Sequence, residues 1–190
     1  MLMVKRLLLT ITITLILAGI YMSAVGADLA HITQCSVDNI KIGDTFDRIY
    51  DVLRPKYTIK KTKELDSLKE VAVLKGKKEV MHISLKDNKI FLIDVYALYS
   101  TTKNIHPGSK LSAVLSAYGI GKINPTDAGY FVYFEDYPGI QFLINDDDVP
   151  EKLRGIPDDV IKEEQEKQIL CLKNAKISAI QISCHDQAKE

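Results

Sequence analysis

The sequence predicts an α+β fold: two tandem modules, each a helix followed by a four-stranded antiparallel sheet, with a helical insertion in the second. Three observations predict it. Ile40, Gly43, Phe46, Ile49, Tyr50 and Leu53 are matched at one constant offset by Ile105, Gly108, Leu111, Val114, Leu115 and Tyr118, a self-similarity that marks a repeated unit. After each of these segments the apolar spacing changes from threes and fours to alternation, as it does between a helix and strands. The segment Lys89 to Val95 then returns as Lys176 to Ile182, so the last strand of the second module is displaced by the stretch 145–175.

Residues 1–27 read as a secretory signal peptide. Lys5 and Arg6 precede an apolar run from Leu7 to Met22, and small residues follow to Ala27. Cleavage after Ala27 leaves a chain beginning at Asp28, exported to the periplasm or secreted. The competing reading is an uncleaved anchor, although the run is shorter than the ~20 residues of a spanning helix. No later segment is apolar for long enough to span, so no stable membrane span is expected once the signal is removed.

The first module takes residues 28–97. Its helix starts near Asp44, a plausible cap, and Pro55 stops it. Strands follow at Tyr57 to Ile59, Val71 to Leu74, Val80 to Leu85 and Ile90 to Tyr96, with tight turns at Gly76-Lys77-Lys78 and Lys86-Asp87-Asn88-Lys89. The second module takes 98–190, with a joint near 98–104. It has a helix from Ser109 to Tyr118 and strands at Ile120 to Ile123, Tyr130 to Phe134 and Ile140 to Ile144. The insertion 145–175 carries an acidic turn and a charged helix starting at Pro157, with Val160, Ile161, Ile169 and Leu170 as its buried stripe.

Cys35, Cys171 and Cys184 all lie in the exported part, where an oxidising compartment favours one disulfide. If a two-fold axis relates the modules, positions 35 and 184 correspond to 100 and 97, which are near neighbours. Cys35 then pairs with Cys184, leaving Cys171 free. A translational arrangement would void that argument, and the competing Cys171–Cys184 pair needs a chain reversal between them.

Charge selects no polyanion. The 25 basic residues balance 25 acidic ones, and the lysines are dispersed among acids, so no nucleic-acid partner is indicated. No catalytic motif, cofactor loop or metal-ligand spacing stands out. Asp146, Asp147 and Asp148 lack the alternating ligands and glycine of a calcium loop, and the four histidines form no helical pair.

The distinctive surface feature is aromatic. In the strand Tyr130 to Phe134, alternation puts Tyr130, Val132 and Phe134 on one face and Phe131 and Tyr133 on the other, with Tyr137 in the next turn. Tyr130, Phe131, Tyr133 and Tyr137, with the acidic turn Asp146, Asp147 and Asp148, are the candidate binding surface.

Helix-then-meander units opening on Gly43-x-x-Phe46 and Gly108-x-x-Leu111 resemble the tandem repeats of beta-lactamase-inhibitor-protein-like folds. Ile90-x-x-Ile93-Asp94-Val95, the segment Thr102 to Gly108 and the closing Leu172 to Ile180 resemble an uncharacterised envelope protein family that includes the sigma-E-regulated lipoprotein. This chain lacks that family's lipobox cysteine. The resemblance implies an envelope protein that binds through a sheet surface. The sequence therefore points to a non-enzymatic exported binding protein whose partner is another envelope or secreted protein, in one form an inhibitor of a secreted hydrolase. The alternative is a small ligand-binding protein or enzyme with a pocket between the repeats, where Asp94, Tyr96, Tyr133 or the acidic turn would converge.

Overall fold

The computed structural model describes residues 30–127, 129–151 and 165–184. The expected signal, the helix start at Pro157, Val160, Ile161 and His185 lie outside the described residues. The strands are β1 (Ala30–Ile32), β2 (Ser36–Val37), β3 (Ile40–Lys41), β4 (Thr58–Leu65), β5 (Leu68–Lys75), β6 (Lys78–Lys86), β7 (Lys89–Val95), β8 (Tyr99–Thr101), β9 (Lys122–Thr126), β10 (Gly129–Tyr133), β11 (Ile140–Ile144) and β12 (Ala179–Ile182). The helices are α1 (Phe46–Leu53), α2 (Leu111–Tyr118) and α3 (Gln165–Cys171). One sheet has eight strands in the order β4-β5-β6-β7-β12-β11-β10-β9, and the other has four in the order β3-β2-β1-β8. The architecture is α+β in kind but largely β, with short helices.

Both long helices follow a glycine in the left-handed region, Gly43 at φ 92° and Gly108 at φ 96°. That conformation is open to glycine at no steric cost and turns each amide toward a strand. Gly43 N donates to Ile90 O at 2.7 Å, and Gly108 N donates to Ile177 O at 2.6 Å. The return bonds match as well, Ile90 N to Asp44 O and Ile177 N to Ser109 O, both 2.8 Å. The expected cap of α1 is corrected by one residue. Thr45 occupies the cap position, while the Asp44 carboxylate accepts from Lys41 N at 2.8 Å and so steadies the preceding turn.

The hairpin turns fall where the sequence puts them. Lys86 pairs with Lys89, and Asp87 and Asn88 between them both have positive φ, the geometry of a two-residue turn matched to strand twist. β4 runs well past the expected Ile59. Lys60, Lys61 and Lys63 interrupt the apolar pattern because this is a sheet edge, and edge lysines discourage pairing with another chain.

The two groups of four strands meet at β7 and β12, which pair antiparallel with Ile180 opposite Val95, Gln181 opposite Asp94 and Ile182 opposite Ile93. This seam makes the sheet continuous. One apolar row then crosses all eight strands: Ile59, Val73, Met81, Val95, Ile180, Phe142, Val132 and Ile123. Residues directly opposite share a face, so the row is the floor of one core. Ile49 and Leu53 of α1, Leu111, Val114 and Tyr118 of α2, and Ile32, Val37, Ile40 and Tyr99 of the small sheet belong to the same core.

The small sheet is absent from the sequence expectation. Its strands have two or three residues each, too few for a period to show, and β8 lies in the expected joint near 98–104. A disulfide between Cys35 and Cys184, with Cα atoms 5.6 Å apart, ties this sheet to the end of β12. Cys171 is free and half-buried. Gly139 sits under the crosslinked loop, where an added Cβ would lie 2.1 Å from Gln34 O, too close for any side chain. In α3, Ile169 is buried as expected, whereas Leu170 is 62% exposed and borders an open apolar cavity with Leu115, Gly119 and Ile120 at the end of α2.

Phe142 lies at the centre of the apolar row and is fully buried. Phe142→Ala is expected to cost about 3–5 kcal/mol in urea unfolding, through lost transfer energy and a residual cavity. Gly139→Ala should lower the melting temperature although it adds one methyl group, because that methyl meets backbone.

Candidate functional site

The face of the large sheet opposite the core is lined by a second row, one residue out of phase with the first. It runs Lys60, Ala72, His82, Asp94, Gln181, Gln141, Tyr133 and Lys122. Among the described residues, both long helices and the small sheet pack on the other face, which leaves this one open.

The open face has two chemistries. On the β9–β11 side, Phe131 is directly opposite Leu143, and Tyr133 is directly opposite Gln141. All four side chains are half-buried. Lys122 and Glu135 form an ion pair at the sheet edge, which holds the Glu135 carboxyl below its usual range.

On the β5–β7 side the groups are ionisable. His82 Nδ1 lies 3.0 Å from Glu79 Oε1, and its Nε2 lies 3.8 Å from Glu70 Oε2. Asp94 occupies the seam, where Gln181 Nε2 donates to its Oδ1 at 2.9 Å. Burial raises the Asp94 pKa, partly offset by the Gln181 bond and the nearby His82 charge. Tyr96, at the end of β7, is pushed up to about 12 by burial and by the Asp94 and Glu79 charges. No group of three or more metal-ligating side chains occurs among the described residues.

The residues picked from the sequence fall in four places. Phe131 and Tyr133 lie on the open face with the predicted parity. Tyr130 is 7% exposed and packs in the core, which corrects its place in the binding surface. The strand must bury one face under α2, and Tyr130 shares that face with Val132 and Phe134. Asp146, Asp147 and Asp148 form an exposed 3₁₀ turn after β11, beside Gly129 and therefore at the opposite end of β10 from Tyr133.

Tyr137 belongs to a different feature on the core side. Lys103 Nζ donates to Ala117 O at 2.7 Å and to Tyr137 Oη at 2.6 Å. The same ammonium lies 4.5 Å from the Tyr118 ring centre and 4.2 Å from that of Tyr137. Its charge is thus met by two aromatic faces and a helix C-terminus. These groups, with Thr33, Gln34, Cys35 and Thr102, border a cleft of about 480 Å³ between the small sheet and α2. Asp94, Tyr96 and Tyr133 do not line it, so the convergence expected between the repeats does not occur there. Lys103 carries no signal in the sequence, since its partners come from a helix and a turn far along the chain.

No protein-family model matches this chain, and no curated protein matches its sequence. Its fold is similar to the crystal structure of the uncharacterized protein yfeY from Escherichia coli, with a TM-score of 0.60 and 20% sequence identity over 81% of this chain and 99% of that one. That likeness is one of fold.

The Asp94 shift gives a pH test. A carboxyl whose pKa is raised on folding stabilises the fold below its unfolded value and loses that contribution as pH rises through the folded one. Asp94→Asn should therefore be more stable than the parent at pH 7, and the gap should close as the pH falls below about 4, the unfolded value. Chemical denaturation across that range checks it, and a gap independent of pH would contradict it.

Proposed function

We propose that this is a non-enzymatic exported protein that binds another envelope or secreted protein across the open face of its large sheet. The observation that carries the reading is the side-by-side placement of Phe131, Leu143, Tyr133 and Gln141 on a sheet face left uncovered among the described residues. Aromatic side chains that are half exposed on a rigid sheet offer large contact area at little entropic cost, which is why tyrosine and phenylalanine are enriched in interfaces. An inhibitor that presents this face to a secreted hydrolase is one concrete form.

Export is supported by two observations. A disulfide persists in an oxidising compartment, and the sequence opens with a basic pair and an apolar run. We read the chain as a duplicated module as well. The paired glycine bonds before α1 and α2 support this, as does a seam register in which exchanging 93 with 180 and 95 with 182 returns the same pairs. The envelope family and inhibitor-like repeats named above fit such a duplication.

A second reading, a small-ligand protein, is favoured by the cleft beside Lys103. The two readings separate on one pair of variants. The parent immobilised on beads should enrich partners from envelope extract that Phe131→Ser/Tyr133→Ser loses, with a weakening of about 30-fold if these are interface anchors. Both variants must melt as the parent does. Identical enrichment by parent and variant, or none by either, would contradict the sheet-face reading and leave the cleft as the functional element.

A further inference from the structure

The cleft between the small sheet and α2 holds a cation with no counter-charge. Among the described residues that line it, Lys103 is the one that carries a charge, and none is acidic. The lysine is held in place by its own turn. Thr101 Oγ1, in the core, accepts from Lys103 N at 3.3 Å and from Ile105 N at 3.2 Å, and Asn104 N donates to Thr101 O at 2.9 Å. The two rings beside its ammonium are fixed as well. Tyr118 and Tyr137 meet edge to face with centres 4.8 Å apart, and the Tyr118 ring also packs on Phe134 and Phe142.

Hydrogen-bonding capacity is left over at this point. An ammonium has three N–H donors and no acceptor, and Ala117 O and Tyr137 Oη engage two of them. One N–H remains. Because Tyr137 Oη accepts from the lysine, its own O–H is also left to donate, and the exposed Thr102 adds a hydroxyl to the same lining. The other polar groups of the cleft are occupied, Thr33 with Ser36 and Gln34 with the Asp136 carbonyl.

No carboxylate lies within ion-pair distance of Lys103 among the described residues, whereas the more exposed Lys61, Lys63 and Lys122 each reach a glutamate. Lys103 is half-buried, where a charge without a partner costs more than it does at the surface. The two rings and the helix carbonyl supply part of what an anion would. Around this polar point the walls are formed by Ile32, Ile140, the Tyr118 ring and Cys35 of the disulfide. A few converging donors set in an apolar wall are how small-molecule sites are built, and the cleft falls in their usual range of about 300–1,000 Å³.

We propose that this cleft binds a small organic monocarboxylate, with its two oxygens on Lys103 Nζ and Tyr137 Oη and its apolar body against Ile32, Ile140 and the Tyr118 ring. One ammonium and neighbouring hydroxyls suit a single negative charge shared by two oxygens. A phosphate carries more charge and more acceptor oxygens than these groups meet. The proposal rests on the small-ligand reading of the cleft and is independent of the open-face reading, because Phe131 and Tyr133 lie on the opposite face of the large sheet.

Benzoate, its uncharged isostere benzamide and inorganic phosphate are the probes. Each is titrated into the oxidised protein at pH 7 and followed through NMR shift changes at Thr33, Thr102, Lys103 and Tyr137. Benzoate is expected to bind with a Kd on the order of 1 mM, as suits so small a ligand, and about tenfold more tightly than either benzamide or phosphate. Lys103→Met keeps the apolar stem and should bring benzoate down to the affinity of benzamide. Loss of that discrimination is a readout that a purely structural lysine would not move. Should Lys103→Met fail to fold, the comparison of the three probes on the parent decides alone. Equal binding of benzamide and benzoate would overturn the carboxylate assignment while leaving the cleft a small-ligand site. Phosphate binding as tightly as benzoate, or an unchanged preference for benzoate in Lys103→Met, would overturn it too. No response of these residues to any probe would overturn both the proposal and the small-ligand reading on which it rests.

Discussion

The structure depends on the pairing of β7 with β12. Three residues from each strand meet there, Ile93 to Val95 against Ile180 to Ile182, although Asp94 and Gln181 are 87 residues apart in sequence. Without that ladder the two groups of strands would each expose an edge and half a hydrophobic face. With it, the apolar row runs unbroken from Ile59 to Ile123 and one core serves both halves. The Asp94–Gln181 hydrogen bond sits at the middle of this ladder, so a half-buried carboxyl lies where the sheet is joined. Its amide partner offsets part of the cost of holding a carboxylate there.

The same pairing divides the molecule chemically. One face of the large sheet is occupied by α1, α2 and the small sheet, which the disulfide holds down at Cys184. The other face takes its character from register: small residues Ala72, Ser84 and Ala179 are buried in the sheet plane, while longer neighbours stand around them. Aromatic and amide groups gather on the β9–β11 side and ionisable groups on the β5–β7 side. One end of the sheet is itself divided, with a basic turn and Leu98 on the β5–β7 side and the Asp146–Asp148 turn on the β10–β11 side.

Much of this was legible in the sequence because it rests on period. Helix positions, hairpin turns and the parity of the strand Tyr130 to Tyr133 all follow from the spacing of apolar residues and from turn residues such as Asp87-Asn88. The Cys35–Cys184 pairing was legible only on the supposition of a two-fold axis, which would make 35 and 184 the counterparts of the near neighbours 100 and 97. What was not legible has physical reasons. β1, β2, β3 and β8 are too short to carry a period, and they form only because β1 and β8 pair in parallel across the chain. Tyr130 was put on the surface because alternation gives two faces without saying which one α2 covers. Tyr137 was grouped with the aromatic strand by proximity in sequence, whereas its hydrogen bond to Lys103 and its edge contact with Tyr118 turn it to the other layer. Leu98 looked like linker, and only its backbone conformation makes it notable.

The central claim is that residues 93–95 and 180–182 are neighbouring strands in this register. Through-space NMR contacts on uniformly labelled protein test it most directly. The account predicts cross-strand contacts between Asp94 and Gln181, flanked by Val95 with Ile180 and Ile93 with Ile182, and slow amide exchange along both strands. Contacts of 180–182 with any strand other than β7 and β11, or fast exchange at the seam with the rest of the sheet protected, would contradict it.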